Sequence, residues 1–218
     1  MRIGFIGAGR VGCTLGRFLR EKGVRMSGYY SRTLSHAEEA AQFTNTRYYD
    51  DLDYFIRDTD CIYLTVSDNA ISEVFHELDE RYDLSEKILC HTSGAMSSKV
   101  FADSKNEVCG YSIHPNFAVS DKLTSYLNFQ NAFITIEGNH RHLGEIVEFY
   151  KSLGLHVGVI SAESKKVFCT IPDEIYSPLV STYHYYTLDQ FTVSNGVYTL
   201  NNNATEITSR VTTGLNDI

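Results

Sequence analysis

The chain opens with Met1-Arg-Ile-Gly-Phe-Ile-Gly-Ala-Gly-Arg-Val-Gly12, a short apolar strand that runs straight into Gly7-x-Gly9-x-x-Gly12. Glycine-rich runs are common in loops and mean little alone. This one follows Ile3, Phe5 and Ile6 and precedes a helical face of Val11, Leu15, Phe18 and Leu19. Strand, glycine turn and helix in that order are the context a dinucleotide site requires. Gly7 permits the tight turn, Gly9 lets a diphosphate approach the backbone, and Gly12 allows helix and strand to pack closely. The helix N-terminus adds unbonded N–H groups and about half a positive charge. Gly7, Ala8, Gly9, Arg10, Val11 and Gly12 are therefore the expected phosphate loop. The competing reading is a strand–turn–helix that uses glycine only for packing.

The pattern that begins there continues through the first 160 residues. Val24–Tyr30 reads as a second strand, and Ser35-His-Ala-Glu38 as a capping box that starts a short helix through Phe43. A third strand around Arg47–Tyr49 precedes a helix carrying Leu52, Phe55 and Ile56. Cys61-Ile-Tyr-Leu-Thr-Val66 is a nearly continuous apolar run, as a parallel strand covered on both faces demands. Ile71, Val74, Phe75 and Leu78 make the next helical stripe. Lys87–His91, Val108–Ile113, Asn131–Ile136 and His156–Ile160 are further strands, the last two separated by a helix bearing Leu143, Ile146, Val147, Tyr150 and Leu153. Alternation of this kind predicts the α/β class: a doubly wound parallel (Rossmann) sheet.

Composition shifts after about Glu163: the last 50 residues hold no lysine, one arginine and one alanine. The predicted division is therefore a nucleotide-binding domain over 1–162 and a short, mainly helical C-terminal segment over 163–218. Asn195-Gly196, between Phe191-Thr-Val and Val197-Tyr-Thr-Leu, has the look of a hairpin turn. Val193, Val197, Leu200, Ala204, Ile207 and Val211 nevertheless recur at helical spacing, with Gly214 placed to end the stripe. The helix is the reading adopted, one that depends on packing because Thr and Asn are poor helix formers.

Bulk properties narrow the partners. The net charge of −8 over 218 residues argues against nucleic acid or an anionic membrane surface. No stretch approaches the roughly 20 apolar residues that span a bilayer, and the N-terminus lacks a signal peptide. Five cysteines without CxxC pairs suit a reduced, cytoplasmic protein. His140-x-His142 is read as a solvated helix start, and no metal site is expected.

Ligands of open α/β sheets bind beyond the carboxyl ends of the strands. The second strand ends at Tyr30-Ser31-Arg32-Thr33, where a fold selective for NAD places an acid to hold the ribose 2′-hydroxyl. Here there is none, and a guanidinium flanked by Ser31, Thr33 and Ser35 suits a 2′-phosphate. NADP is the expected cofactor, with Ser31, Arg32 and Thr33 as ligands. The next strand end places Val66 and Ser67 beside the nicotinamide ribose, followed by Asp68 and Asn69 as helix caps. His91-Thr-Ser-Gly-Ala95 and Ser112-Ile-His-Pro115 follow at adjacent strand ends. His114 is the candidate acid/base and Ser93 a donor to a substrate carbonyl or carboxylate, whereas His91 is read as tying loops together. Ser93 lacks the G-x-S-x-G elbow of a serine hydrolase.

Together, Ile3–Gly12, Tyr30-Ser-Arg-Thr33, His91-Thr-Ser-Gly-Ala95 and Ser112-Ile-His-Pro115 resemble a family of Rossmann-like proteins provisionally assigned as NADP oxidoreductases, with a helical C-terminal domain of unknown function. That family is similar to pyrroline-5-carboxylate reductase, deazaflavin-dependent NADP reductases and prephenate dehydrogenase. The resemblance covers roughly residues 1–168. It implies NADP binding by Gly7, Gly9, Arg10, Val11, Ser31 and Arg32, and an acid/base or substrate-binding role for His114. Tyr183-His184 and Val193-Ser-Asn195 are similar to the start of the helical domain, while Ile171–Thr182 departs from it. The implied activity is hydride transfer to or from a small carbonyl, imine or hydroxy-acid substrate, with a homodimer built through the C-terminal helix. The alternative is an NADP-binding sensor or regulatory module without turnover.

Overall fold

In a computed structural model, residues 1–162, 165, 191–194 and 197–200 are described. The chain begins with β1 (Ile3–Ile6), α1 (Arg10–Glu21), β2 (Met26–Tyr30), α2 (Leu34–Thr44) and β3 (Arg47–Tyr49). It continues through α3 (Leu52–Asp58), β4 (Cys61–Leu64), α4 (Asp68–Arg81) and β5 (Ile88–His91). A 3-10 turn at Ser98–Phe101 leads to β6 (Cys109–Asn116), and another at Ser125–Asn131 to β7 (Phe133–Gly138). Next come α5 (Leu143–Ser152), β8 (His156–Val159), β9 (Phe191–Ser194) and β10 (Val197–Leu200). One sheet joins the strands in the order β3-β2-β1-β4-β5-β6-β7-β8-β10-β9.

The first six strands form the expected doubly wound parallel sheet, and strand order reverses between β1 and β4. Alternate strand residues feed two separate cores, which is why β1 and β4 are apolar at every position. Phe5, Tyr29, Tyr63 and Tyr111 pack under α1, α2 and α5. Ile6, Ile62, Leu64 and Leu89 pack under α3, α4 and Phe101. Buried tyrosine hydroxyls in the first core are paired: Tyr63 and Tyr150 share a 2.6 Å hydrogen bond, and Tyr29 donates to the Gly12 carbonyl at 3.1 Å. Cys13, Cys61, Cys90 and Cys109 are buried free thiols. Among the described residues no helix is long and apolar enough to cross a membrane.

Four details correct the sequence reading. α2 begins at Leu34 with Thr33 as its cap residue, so Ser35 lies inside the first turn and the Ser35–Glu38 capping box does not start the helix. Ser67, not Asp68 or Asn69, occupies the cap position of α4. β6 runs on to Asn116, so His114-Pro115 lies within a strand rather than beyond one. The cause is β7, which pairs antiparallel with β6 over Tyr111–Asn116 and reverses the sheet direction. Among the described residues the β5 side of β6 has no partner strand beyond Ser112, so the missing N–H of Pro115 breaks no ladder there.

The fourth correction concerns the tail. Residues 193–194 and 197–200, read as part of a helix, lie in the antiparallel pair β9–β10, and β10 joins β8 in parallel. Ser194 pairs with Val197, in keeping with the hairpin signal that Asn195-Gly196 carries in the sequence. Phe191-Thr-Val and Val197-Tyr-Thr are rich in β-branched and aromatic residues that favour strands; the helical spacing of the valines was coincidental over this span. The insert Ile171–Thr182, Tyr183-His184, Cys169 and the rest of the stripe from Ala204 to Gly214 lie outside the described residues.

Candidate functional site

The carboxyl ends of β1 and β4 meet at the point where strand order reverses, where open α/β sheets form their ligand crevice. Gly7 turns the chain there with φ +105°, a conformation that favours glycine. A Cβ on Gly7 would stand 2.7 Å from the Thr65 carbonyl oxygen, and one on Gly12 2.6 Å from the Thr65 hydroxyl. Both glycines are thus demanded by the chain's own packing. Gly9 is not: its nearest Cβ neighbour would be 3.8 Å away, and its φ is −78°. Among the described residues nothing requires Gly9 to lack a side chain, which leaves a bare approach to the backbone.

That approach is lined with donors. Among the described residues, the amides of Ala8 and Gly9 make no hydrogen bond. The first N–H groups of α1 are uncapped by a side chain, and no acid occupies its first turn. Arg10 is exposed and its guanidinium donates to the Ser120 carbonyl at 3.3 Å, placing the β6–β7 connection beside the loop. Val11 follows in the first turn, partly buried.

A second cationic feature lies at the end of β2. Arg32 is exposed and makes no ion pair among the described residues. The Ser31 hydroxyl accepts from the Thr33 amide at 3.3 Å, and α2 starts immediately afterwards with no acid in its first turn. A guanidinium, three nearby hydroxyls and an open helix N-terminus suit a phosphate dianion.

The third feature joins the ends of β4, β5 and β6. Val66 is partly buried and Ser67 exposed at the start of α4. The Ser93 hydroxyl donates to the Asp68 carboxylate at 2.8 Å and accepts from the Ala95 and Met96 amides at 3.2 and 3.1 Å. Its only proton is therefore engaged, and Ser93 reaches a substrate only by releasing Asp68. The half-buried His114 donates its Nδ1 proton to the Thr92 carbonyl at 2.9 Å, which fixes the tautomer with Nε2 as the second ring atom. His114 and Ser93 are thereby brought to the same loop.

His91 does tie loops together. It is fully buried, its Nε2–H donates to the Ser97 carbonyl at 3.2 Å, and its Nδ1 has no partner among the described residues. Burial foremost, with the nearby charges of Lys165 and His114, pushes the imidazole down to about 3 against the opposing bond to Ser97.

Sequence reasoning missed a polar stripe across this face. Strand register aligns His91, Ser112 and Glu137, with His114 and Thr135 paired one step along. All but His114 are buried. Lys165, also buried, donates to the Ser112 hydroxyl; Glu137 accepts from the Ser98 amide and, at 2.7 Å, from the Ser98 hydroxyl. Asn116 donates to the Phe133 carbonyl at 2.9 Å. The signal was the period-two alternation Ser112-x-His114-x-Asn116 and Thr135-x-Glu137 within otherwise apolar strands.

A parallel, doubly wound sheet with a glycine loop at its switch point defines a nucleotide-fold α/β protein. The chain belongs to the Rossmann-like domain family, whose family model matches residues 1–115. Solved structures share the fold. A provisionally assigned NADP oxidoreductase from Bacteroides fragilis is 20% identical with a TM-score of 0.62, covering 85% of this chain and 80% of its own. Synechocystis arogenate dehydrogenase is 17% identical at TM-score 0.64, covering 77% and 62%. A reductive aminase from Aspergillus terreus, in complex with NADPH and ethyl-5-oxohexanoate, is 13% identical at TM-score 0.62, covering 99% and 72%. No curated protein matches the sequence.

Proposed function

We propose that the chain binds NADP(H) across the β1–β4 crevice and acts as an oxidoreductase on a small carbonyl, imine or hydroxy-acid substrate. The observation that carries the reading is the bare backbone at Gly9: among the described residues no contact excludes a side chain, yet unbonded amides and an acid-free helix start surround it. A diphosphate fits those donors. Arg32 with Ser31 and Thr33 would hold the 2′-phosphate, and Val66 and Ser67 would flank the nicotinamide ribose. The fold is shared with NADP oxidoreductases and dehydrogenases, which supports the same class of chemistry here.

When bound, the nicotinamide supplies or accepts hydride. The chain's own residues then manage the proton. His114 keeps Nδ1–H on the Thr92 carbonyl, so Nε2 is the atom that exchanges a proton with the substrate oxygen or nitrogen. Ser93 and Asp68 hold the β5 loop in place beside it.

Titration of the wild type with NADPH and NADH, followed by turnover assays on carbonyl and imine panels, tests the reading. NADPH is expected to bind more tightly. Gly9→Ala is expected to cost about 1 kcal/mol of stability at this cap position while weakening NADPH at least about tenfold, since a methyl group displaces a phosphate hydrogen-bonded to charged and dipolar donors. An unchanged NADPH affinity in Gly9→Ala contradicts the proposal. Tight binding without turnover supports the sensor instead.

A further inference from the structure

We propose that Thr65 is a positioning residue that sets the polarity of the phosphate loop, an inference that rests on the dinucleotide reading above. Thr65 follows β4 at the switch point and grips the end of β1 twice. Its amide donates to the Ile6 carbonyl at 2.9 Å, and its hydroxyl donates to the Gly7 carbonyl at 2.8 Å. The hydroxyl also lies 3.4 Å from the Ile6 carbonyl. Thr65 is buried, so neither bond is exchanged with bulk water.

The consequence follows from peptide geometry. In a trans peptide the carbonyl and the next N–H point in opposite directions, and none of the described peptide bonds is cis. The Gly7 carbonyl accepts from the Thr65 hydroxyl, so the Ala8 N–H, unbonded among the described residues, faces away from Thr65. Gly7 has φ +105°, and glycine alone would let this peptide rotate freely. The same hydroxyl lies 2.6 Å from where a Cβ on Gly12 would stand, so it also packs between loop and helix. One side chain therefore fixes the turn, its donor direction and its distance from α1.

The test compares two ligands on folded protein: NADPH, which spans the loop, and adenosine 2′-monophosphate, which reaches only the Arg32 end. Thr65→Val removes the hydroxyl at nearly constant shape. It is expected to raise the NADPH dissociation constant about tenfold, the worth of one well-placed hydrogen bond, and to change adenosine 2′-monophosphate binding less than about twofold. Thr65→Ser is expected to restore NADPH binding to within about twofold. If the valine variant does not fold, Thr65→Ala carries the same expectation. Wild-type affinity in the hydroxyl-free variant, or equal losses for both ligands, overturns the positioning role alone. A wild-type protein that binds neither ligand overturns the dinucleotide reading, and this inference with it.

Discussion

Buried against Phe101, His91 resists protonation down to about pH 3, and this has a measurable cost in acid. An unfolded histidine titrates near 6.5. Above that value neither form carries the proton. Below it the unfolded chain binds a proton that the native ring refuses, so stability falls as pH drops, by up to about 1.4 kcal/mol per unit until pH nears 3. The wild-type urea midpoint is expected to decline between pH 6.5 and 4, with a shallower decline in His91→Phe; parallel profiles would contradict the assignment. His114 faces the opposite task, since its Nδ1 proton is parked on a backbone carbonyl and the ring is half-buried. His114→Gln is expected to lower turnover at least about a hundredfold while leaving NADPH affinity within about twofold, as stopped-flow and binding assays on one preparation will show.

Loops in this protein are held by single polar side chains acting as latches, and α4 carries the clearest one. Asp79 is buried on that helix and accepts from the Ser104 hydroxyl at 2.6 Å, the Lys105 amide at 2.8 Å and the Asn106 side-chain amide at 2.8 Å. Burial alone would raise its carboxyl, but the hydrogen bonds outweigh it and hold the group below the usual range. Asp79→Asn is expected to cost about 1–3 kcal/mol at neutral pH. That cost shrinks below about pH 4, where the unfolded carboxylate protonates; a gap constant down to pH 2 would contradict it.

The β9–β10 pair invites a sharper test of helix against hairpin. Gly196→Ala favours a helix by about 1 kcal/mol but weakens the Asn-Gly hairpin signal of the sequence, so a chain that pairs β9 with β10 and β10 with β8 is expected to lose stability and show faster amide exchange in β8. Elements with one dominant signal were legible in the sequence: β1 from its apolar run into the glycine turn, β4 from its continuous apolar run, and α4 from its helical stripe. The tail was not, because eight residues satisfied helical spacing and strand propensity together, and only pairing with β8 decided between them. The site shows the same split. The positions of Gly7 and Arg32 beside strand ends were legible, whereas His114 was expected beyond a strand end and lies inside β6. Thr65 and the Ser112–Glu137 stripe were not, because their roles depend on which strands become neighbours.

At the scale of the molecule, a chain of net charge −8 must bind an anion through local field rather than overall charge. The structure arranges this by keeping acids out of the first turns of α1 and α2 and placing Arg10 and Arg32 near them. Lys122 stands nearby on the β6–β7 connection, paired with Glu39 at 3.2 Å. Arg32, which makes no ion pair among the described residues, is the group that distinguishes NADP from NAD in this account. The most direct measurement is therefore the dissociation constant of Arg32→Ala for NADPH and for NADH, set against the wild type. The account predicts that NADPH weakens at least about tenfold, the loss of a charge-assisted pair, while NADH changes less than about twofold. Equal losses for the two cofactors would show that Arg32 does not read the 2′-phosphate.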